Sequence, residues 1–281
     1  MKEYKKKNTV KESVRNALRH ARRRLRGACA LLLAAVVITG NTLPARATAE
    51  QLANEAEERK SIPVESSSWK NWAQGPVNGA DGAVLMDAYS GALLYSKNPE
   101  KKEYPASITK LMTALLACEN CAMDEQVSFS HYAVYSIERG SSNVGIDEGQ
   151  SMSVEECLYC LLLASANEVA NALAEHVSGS VEEFAQLMNA RAKQLGCVNT
   201  HFVNPNGLHD PEHYTCAYDM ALIARAFFAN ETLLQMSGTV VYDIHATANQ
   251  PDEFPLRNHH RSLPGCQYGT RYQYDYAIGG K

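Results

Sequence analysis

The sequence predicts an α+β fold, on three observations. A β-hairpin signal opens the body of the chain. A long helical stretch follows it, and short strand candidates return near the C-terminal end. Strands at both ends of a helical insert fit a sheet covered by helices, and they do not fit alternating βαβ units.

The hairpin signal is the pair of apolar runs at 83–87 and 92–95, joined by the turn-like Ala88-Tyr-Ser-Gly91. A helix is expected after Pro105, running through Ile108 to Ala117. The helical stretch spans about 153–230. Ser153 with Glu156, and Ser180 with Glu183, match the capping box, in which a hydroxyl and a carboxylate three residues on satisfy the first free amides. Val181, Phe184, Leu187, Met188, Ala192 and Leu195 recur at helical spacing, and Gly196 is placed to stop that helix. Asn204-Pro-Asn-Gly207 is a turn signal. Residues 218–228 form another apolar-rich helix, and 239–244 and 274–278 are the returning strands.

With 45% hydrophobic and 21% charged residues among 281, the composition is that of a globular protein, and the formal charge of −4 is uneven. Residues 1–27 carry eleven Lys or Arg against two Glu, whereas Glu50 onward carries fifteen basic and twenty-nine acidic residues. An acidic body lacks the basic footprint of a nucleic-acid binder. The basic start precedes an apolar run at 28–38 and the small-residue sites Ala45-Arg46-Ala47 and Ala47-Thr48-Ala49. That order is the signature of a secretory signal peptide, assigned to 1–49. The apolar run is too short for a membrane span of roughly 20 residues. Residues 50–75, polar and rich in Glu and Ser, are expected to be a flexible linker, leaving 76–281 as the functional body.

Cys118-x-x-Cys121 and Cys157-x-x-Cys160 resemble a four-thiolate zinc pattern. The second pair, however, lies in an apolar helical run, where cysteine behaves as a small hydrophobe. Free thiols are expected, with neither metal nor cofactor. His209, His213, His259 and His260 lack ligand-like helical spacing.

Ser107-Ile-Thr-Lys110 carries the chemistry. Residues three apart share a helical face, so the amine of Lys110 can reach the hydroxyl of Ser107. A serine hydroxyl is a weak nucleophile until a neighbouring base takes its proton. A lysine can be that base only where burial or nearby positive charge favours its neutral form. A helix N-terminus adds amide donors for a developing oxyanion. Alone, the four-residue string is a weak signal that occurs by chance, and it then reads as an exposed N-cap serine beside a surface lysine. Ser165-Ala-Asn167, at the junction of two helices, supplies a second hydroxyl and an amide, although serine and asparagine are also ordinary caps.

The S-x-x-K and S-x-N motifs, with Gly279-Gly280-Lys281 at the position of a K-T-G lysine, resemble the signatures of penicillin-binding proteins and serine β-lactamases. Pro105-Ala-Ser-Ile-Thr-Lys-Leu-Met-Thr113, Leu162-Leu-Ala-Ser-Ala-Asn-Glu168, Val203-Asn-Pro-Asn-Gly-Leu-His-Asp210 and His213-Tyr-Thr-Cys-Ala-Tyr-Asp219 occur in the order found in the low-molecular-mass D-alanyl-D-alanine carboxypeptidases, peptidase family S11. The resemblance implies a β-lactamase/DD-peptidase-like fold: an antiparallel sheet flanked by helices, plus an all-helical lobe. It implies that Ser107 forms the acyl-ester, that Lys110 accepts its proton, and that Ser165 relays a proton to the leaving D-alanine. Asn167 would hold the substrate amide, and Lys281 its terminal carboxylate. The implied partners are peptidoglycan stem peptides ending in D-Ala-D-Ala, with β-lactams as covalent inhibitors, at the extracytoplasmic face of the cell membrane.

One departure is plain. The chain ends at Lys281, so the Thr and Gly of K-T-G, the C-terminal strands and the family's membrane-contacting C-terminal region are not in it. Loss of one oxyanion donor typically lowers turnover about 10²–10³-fold. The expectation is therefore a poorly active chain with an active longer parent. Alternatives sharing the motifs are a D,D-endopeptidase, a serine β-lactamase and an inactive peptidoglycan-binding fragment. Ser165-Ala-Asn167 lacks the middle Asp of the S-D-N β-lactamase class.

Overall fold

In the computed structural model, residues 48–260 are described. Nearly all of the expected signal peptide, the strand expected at 274–278, and Lys281 lie outside the described residues. Contacts divide the chain into Met1–Ala53 and Asn54–Lys281, and the packing below is that of the second unit.

Part of the segment expected as a flexible linker at 50–75 takes regular local structure. Helix α1 covers Ala49–Arg59, and a 3₁₀ turn covers Glu65–Ser68. The hairpin strands that follow are β1 (Ala83–Met86) and β2 (Leu93–Lys97), paired antiparallel as the apolar runs predict. The preceding segment is tied to β2 through polar groups. Ser66 is buried and its Oγ accepts from Ser96 N at 3.2 Å. The indole of Trp72 donates to Leu94 O at 2.8 Å. The ammonium of Lys97, fully buried, donates to the carbonyls of Arg59 and Asn78, each at 2.8 Å. A buried cation without partners costs several kcal/mol, so these carbonyls pin the segment to the hairpin.

Beyond the hairpin, a 3₁₀ turn (Ala106–Thr109) leads into helix α2 (Lys110–Asn120). Two three-residue strands, β3 (Gln126–Ser128) and β4 (Ser151–Ser153), pair antiparallel around the short helix α3 (His131–Tyr135). The capping box at Ser153 and Glu156 forms as expected and starts helix α4 (Val154–Tyr159). A π-helical segment, Cys160–Ala164, follows it. Helix α5 (Asn167–Ser178) and helix α6 (Val181–Gln194) complete the lobe. Ser180 caps α6, and Gly196 sits just beyond it at φ +91°. Helices α7 (Ala217–Phe228) and α8 (Glu231–Gly238) lead to the antiparallel pair β5 (Val241–Ile244) and β6 (Phe254–Arg257). The described strands thus form three separate two-stranded ladders.

One hydrophobic core runs through the lobe. Met112, Leu115 and Leu116 of α2, Val169 and Leu173 of α5, and Phe184 and Met188 of α6 are all essentially inaccessible to solvent. Truncating such a side chain, Leu116→Ala for example, costs about 2–5 kcal/mol. Helix α2 packs directly on α5, and this contact brings the S-x-x-K and S-x-N segments into one place. Among the described residues no helix is long and apolar enough to cross a membrane.

Candidate active site

Lys110 is the hub. Its side chain is 3% exposed although it begins a helix, and its Nζ lies 3.2 Å from Ser107 Oγ, 2.6 Å from Asn167 Oδ1 and 2.7 Å from Asn206 O. The two shorter contacts go to carbonyl oxygens, which only accept. The serine hydroxyl is the one group of the three that can give a proton to the amine. In its neutral form the amine can give N–H bonds to Asn167 and Asn206 and can accept a proton from Ser107.

Local backbone conformation presents the hydroxyls. Ala106, just before Ser107, has φ +49°, and Ser165 has φ +60° and ψ +36°. Left-handed backbone is uncommon for residues other than Gly, Asn and Asp, and it clusters where a structure holds strain for function. At Ser165 the cause is visible. The π-helical turn before it sends the amides of Ser165 and Ala166 back to Cys160 O, so the chain reverses abruptly before Asn167 starts α5. Ser165 is buried at this reversal, two residues from the side chain that holds Lys110.

The loop 204–207 closes the other side. Thr113 Oγ1 donates to Pro205 O at 2.6 Å, and Asn204 Oδ1 accepts from Gly207 N at 2.7 Å. Asn206 faces two ways: its carbonyl holds Lys110, while its amide donates to Asn171 Oδ1 at 2.9 Å. Beneath Ser107, Thr109 Oγ1 is 2.8 Å from Nε2 of His213, whose Nδ1 accepts from Val203 N at 3.1 Å. That acceptor role puts the proton on Nε2, so the imidazole donates to Thr109. Burial pushes the His213 pKa down to about 4.

Glu168 fixes a third loop. Its Oε1 accepts from Val144 N at 2.6 Å and Gly145 N at 3.1 Å, and Asn167 N donates to Ser142 O at 2.9 Å. Burial raises the Glu168 pKa, while the backbone amides oppose that shift.

The structure therefore joins Ser107, Lys110 and Asn167 through direct bonds and sets Ser165 at the adjoining turn, while Lys281 lies outside the described residues. Asn206, Gly207, His213, Thr109 and Glu168 were not singled out for roles by sequence reasoning. All lie within the four quoted segments, but nothing in their residue types announces a backbone carbonyl as a lysine ligand. The six described cysteines are free thiols, and Cys157 and Cys160 are fully buried in the core.

The sequence pattern of the Peptidase_S11 family, described as D-alanyl-D-alanine carboxypeptidase, matches residues 70–264. The D-alanyl-D-alanine carboxypeptidase DacF of Bacillus subtilis is 38% identical over 189 residues, covering 66% of this chain and 47% of its own length. The D-alanyl-D-alanine carboxypeptidase DacA of Haemophilus influenzae is 38% identical over 145 residues, 50% of this chain and 37% of that protein. This chain thus spans less than half the length of these two relatives. Among solved structures, a D-alanyl-D-alanine carboxypeptidase from Mycobacterium tuberculosis superposes with a TM-score of 0.61 at 27% identity, covering 72% of this chain and 73% of that one. With the fold shared and the family's pattern matching well over half of its residues, this chain belongs to the D-alanyl-D-alanine carboxypeptidase family, Peptidase_S11.

Proposed function

We propose that the protein is an exported serine D,D-carboxypeptidase acting outside the cytoplasmic membrane on peptidoglycan stem peptides that end in D-Ala-D-Ala. The observation that carries this reading is the placement of one buried amine between a serine hydroxyl and two carbonyl acceptors. Ser107 Oγ attacks the carbonyl carbon of the penultimate D-alanine as its proton passes to Lys110 Nζ. The tetrahedral intermediate collapses, the C–N bond breaks, and the terminal D-alanine leaves with a proton delivered through Ser165. Water then attacks the ester carbonyl as its proton passes to Lys110 Nζ, the ester C–O bond breaks, and that proton returns to Ser107 Oγ. Asn167 orients both Lys110 and the substrate amide, and Lys281 receives the substrate's terminal carboxylate. β-Lactams acylate the same hydroxyl. Export rests on the leader pattern of residues 1–49.

The test is release of D-alanine from a stem pentapeptide by the purified chain, with the Ser107→Ala variant as control. Release that survives this substitution would remove Ser107 from the mechanism. Supplying a cross-linked stem dimer in parallel separates a carboxypeptidase from an endopeptidase.

A further inference from the structure

Away from Ser107 and Lys110, three segments bring unlike metal-binding side chains together. Cys121 caps the C-terminal end of α2, Glu125 precedes β3, and His176 occupies the last turn of α5. Their candidate ligand atoms, a thiol sulfur, a carboxylate oxygen and an imidazole nitrogen, all lie within 4.8 Å of one another. The hydrolytic mechanism uses none of them. We propose that Cys121, Glu125 and His176 form a three-ligand site for one Zn²⁺ ion, with water completing the coordination.

The donor set selects the metal class. Calcium and magnesium take oxygen ligands, whereas a thiolate with an imidazole and a carboxylate suits a borderline-soft ion such as Zn²⁺. Zinc bonds of about 2.0–2.3 Å in a tetrahedron place ligand atoms roughly 3.3–3.7 Å apart. Glu125 Oε2 and His176 Nε2 are already 3.0 Å apart, and Cys121 Sγ lies within 4.8 Å of both, so side-chain adjustments of about 1 Å suffice to reach that spacing.

The ligands are also held from outside. Glu125 Oε1 accepts from Ala122 N at 2.6 Å, which leaves Oε2 for the ion, and the Glu125 carbonyl accepts from Val154 N at 2.9 Å. Cys121 N donates to Ala117 O at 3.0 Å, which fixes the base of the thiol. Such outer contacts orient ligands in established zinc centres. Cys118, one helical turn earlier, is engaged elsewhere, since its sulfur accepts from Asn230 Nδ2 at 3.2 Å. It is therefore outside the ligand set, and three protein ligands with one open position result. The cluster sits at the opposite end of α2 from Lys110, roughly 16 Å along an eleven-residue helix. Its occupancy and the acylation of Ser107 are thus separately measurable.

The full chain, reduced and stripped of metal, is titrated with Zn²⁺ in competition with a chromophoric chelator, and with Co²⁺ for its thiolate charge-transfer band. The parent should bind one equivalent. Cys121→Ser and His176→Gln should each weaken binding by at least about tenfold, the scale seen even for outer-shell changes at zinc sites. Cys118→Ser should keep both the affinity and the cobalt band, whereas Cys121→Ser should lose the band. Circular dichroism verifies that the variants are folded, and Glu125→Gln provides a milder substitution at the same site. Absence of binding by the parent overturns the proposal. So does undiminished affinity in Cys121→Ser or His176→Gln, which would leave the Glu125–His176 contact as a hydrogen bond alone.

Discussion

A Cβ placed on Gly207 would lie 1.9 Å from the carbonyl oxygen of Ala106, the residue that precedes the Ser107 hydroxyl. Gly207 also has φ +84°, a conformation that side-chain-bearing residues rarely adopt. The loop carrying Asn206 and the turn carrying Ser107 are therefore packed backbone against backbone. This contact lets the Asn206 carbonyl reach Lys110 Nζ at 2.7 Å.

Gly207→Ala should disturb both sides at once. The expected outcome is a loss of stability of about 1–3 kcal/mol from backbone strain alone. β-Lactam acylation should slow at least tenfold, because displacement of the reacting groups by about 1 Å can cost 10²-fold. Denaturant unfolding and the rate of labelling check the two effects. Unchanged labelling would show that the contact does not position the site.

Lys110→Arg separates a base from a mere positive charge. Guanidinium keeps the charge and the N–H donors but cannot be deprotonated under working conditions. Acylation by Lys110→Arg should fall by about 10²–10⁴-fold, the usual contribution of general base catalysis, and Lys110→Met should fall at least as far. A near-parental rate for the arginine variant would make Lys110 an electrostatic group.

The buried His213 predicts a specific pH dependence. Its pKa is depressed by burial from 6.5 to about 4, so between these values the unfolded chain binds a proton that the folded chain does not. The stability associated with this site is complete above pH 6.5 and is lost as pH falls toward 4, by up to about 1.4 kcal/mol per pH unit. His213→Gln, which does not titrate, should flatten the slope between pH 6.5 and 4.5 even if it lowers stability throughout. Parallel unfolding curves for parent and variant across that window would refute the assignment.

Much of the site was legible because its chemistry is carried by local patterns. Ser107 and Lys110 are one helical turn apart, Ser153 and Glu156 cap as written, and the hairpin at β1 and β2 follows its two apolar runs and the turn between them. What was not legible is what depends on distant partners. Residues 50–75 are polar and read as a linker, yet Ser66 and the carbonyl of Arg59 are fixed by Ser96 and Lys97, some thirty or more positions away. Strands β3 and β4 are three residues long, too short for a period-two signal. Cys160–Ala164 reads as a continuation of an apolar helix, so neither its π-helical turn nor the left-handed Ser165 shows in the residue types. The third contact of Lys110 is a backbone carbonyl, which every residue possesses.

The most direct test of the central claim is mass spectrometry of the purified chain after prolonged incubation with penicillin. The account predicts one covalent adduct, mapped by proteolysis to the peptide containing Ser107 and absent from Ser107→Ala. An adduct on another residue, equal labelling of Ser107→Ala, or no adduct at all would contradict it.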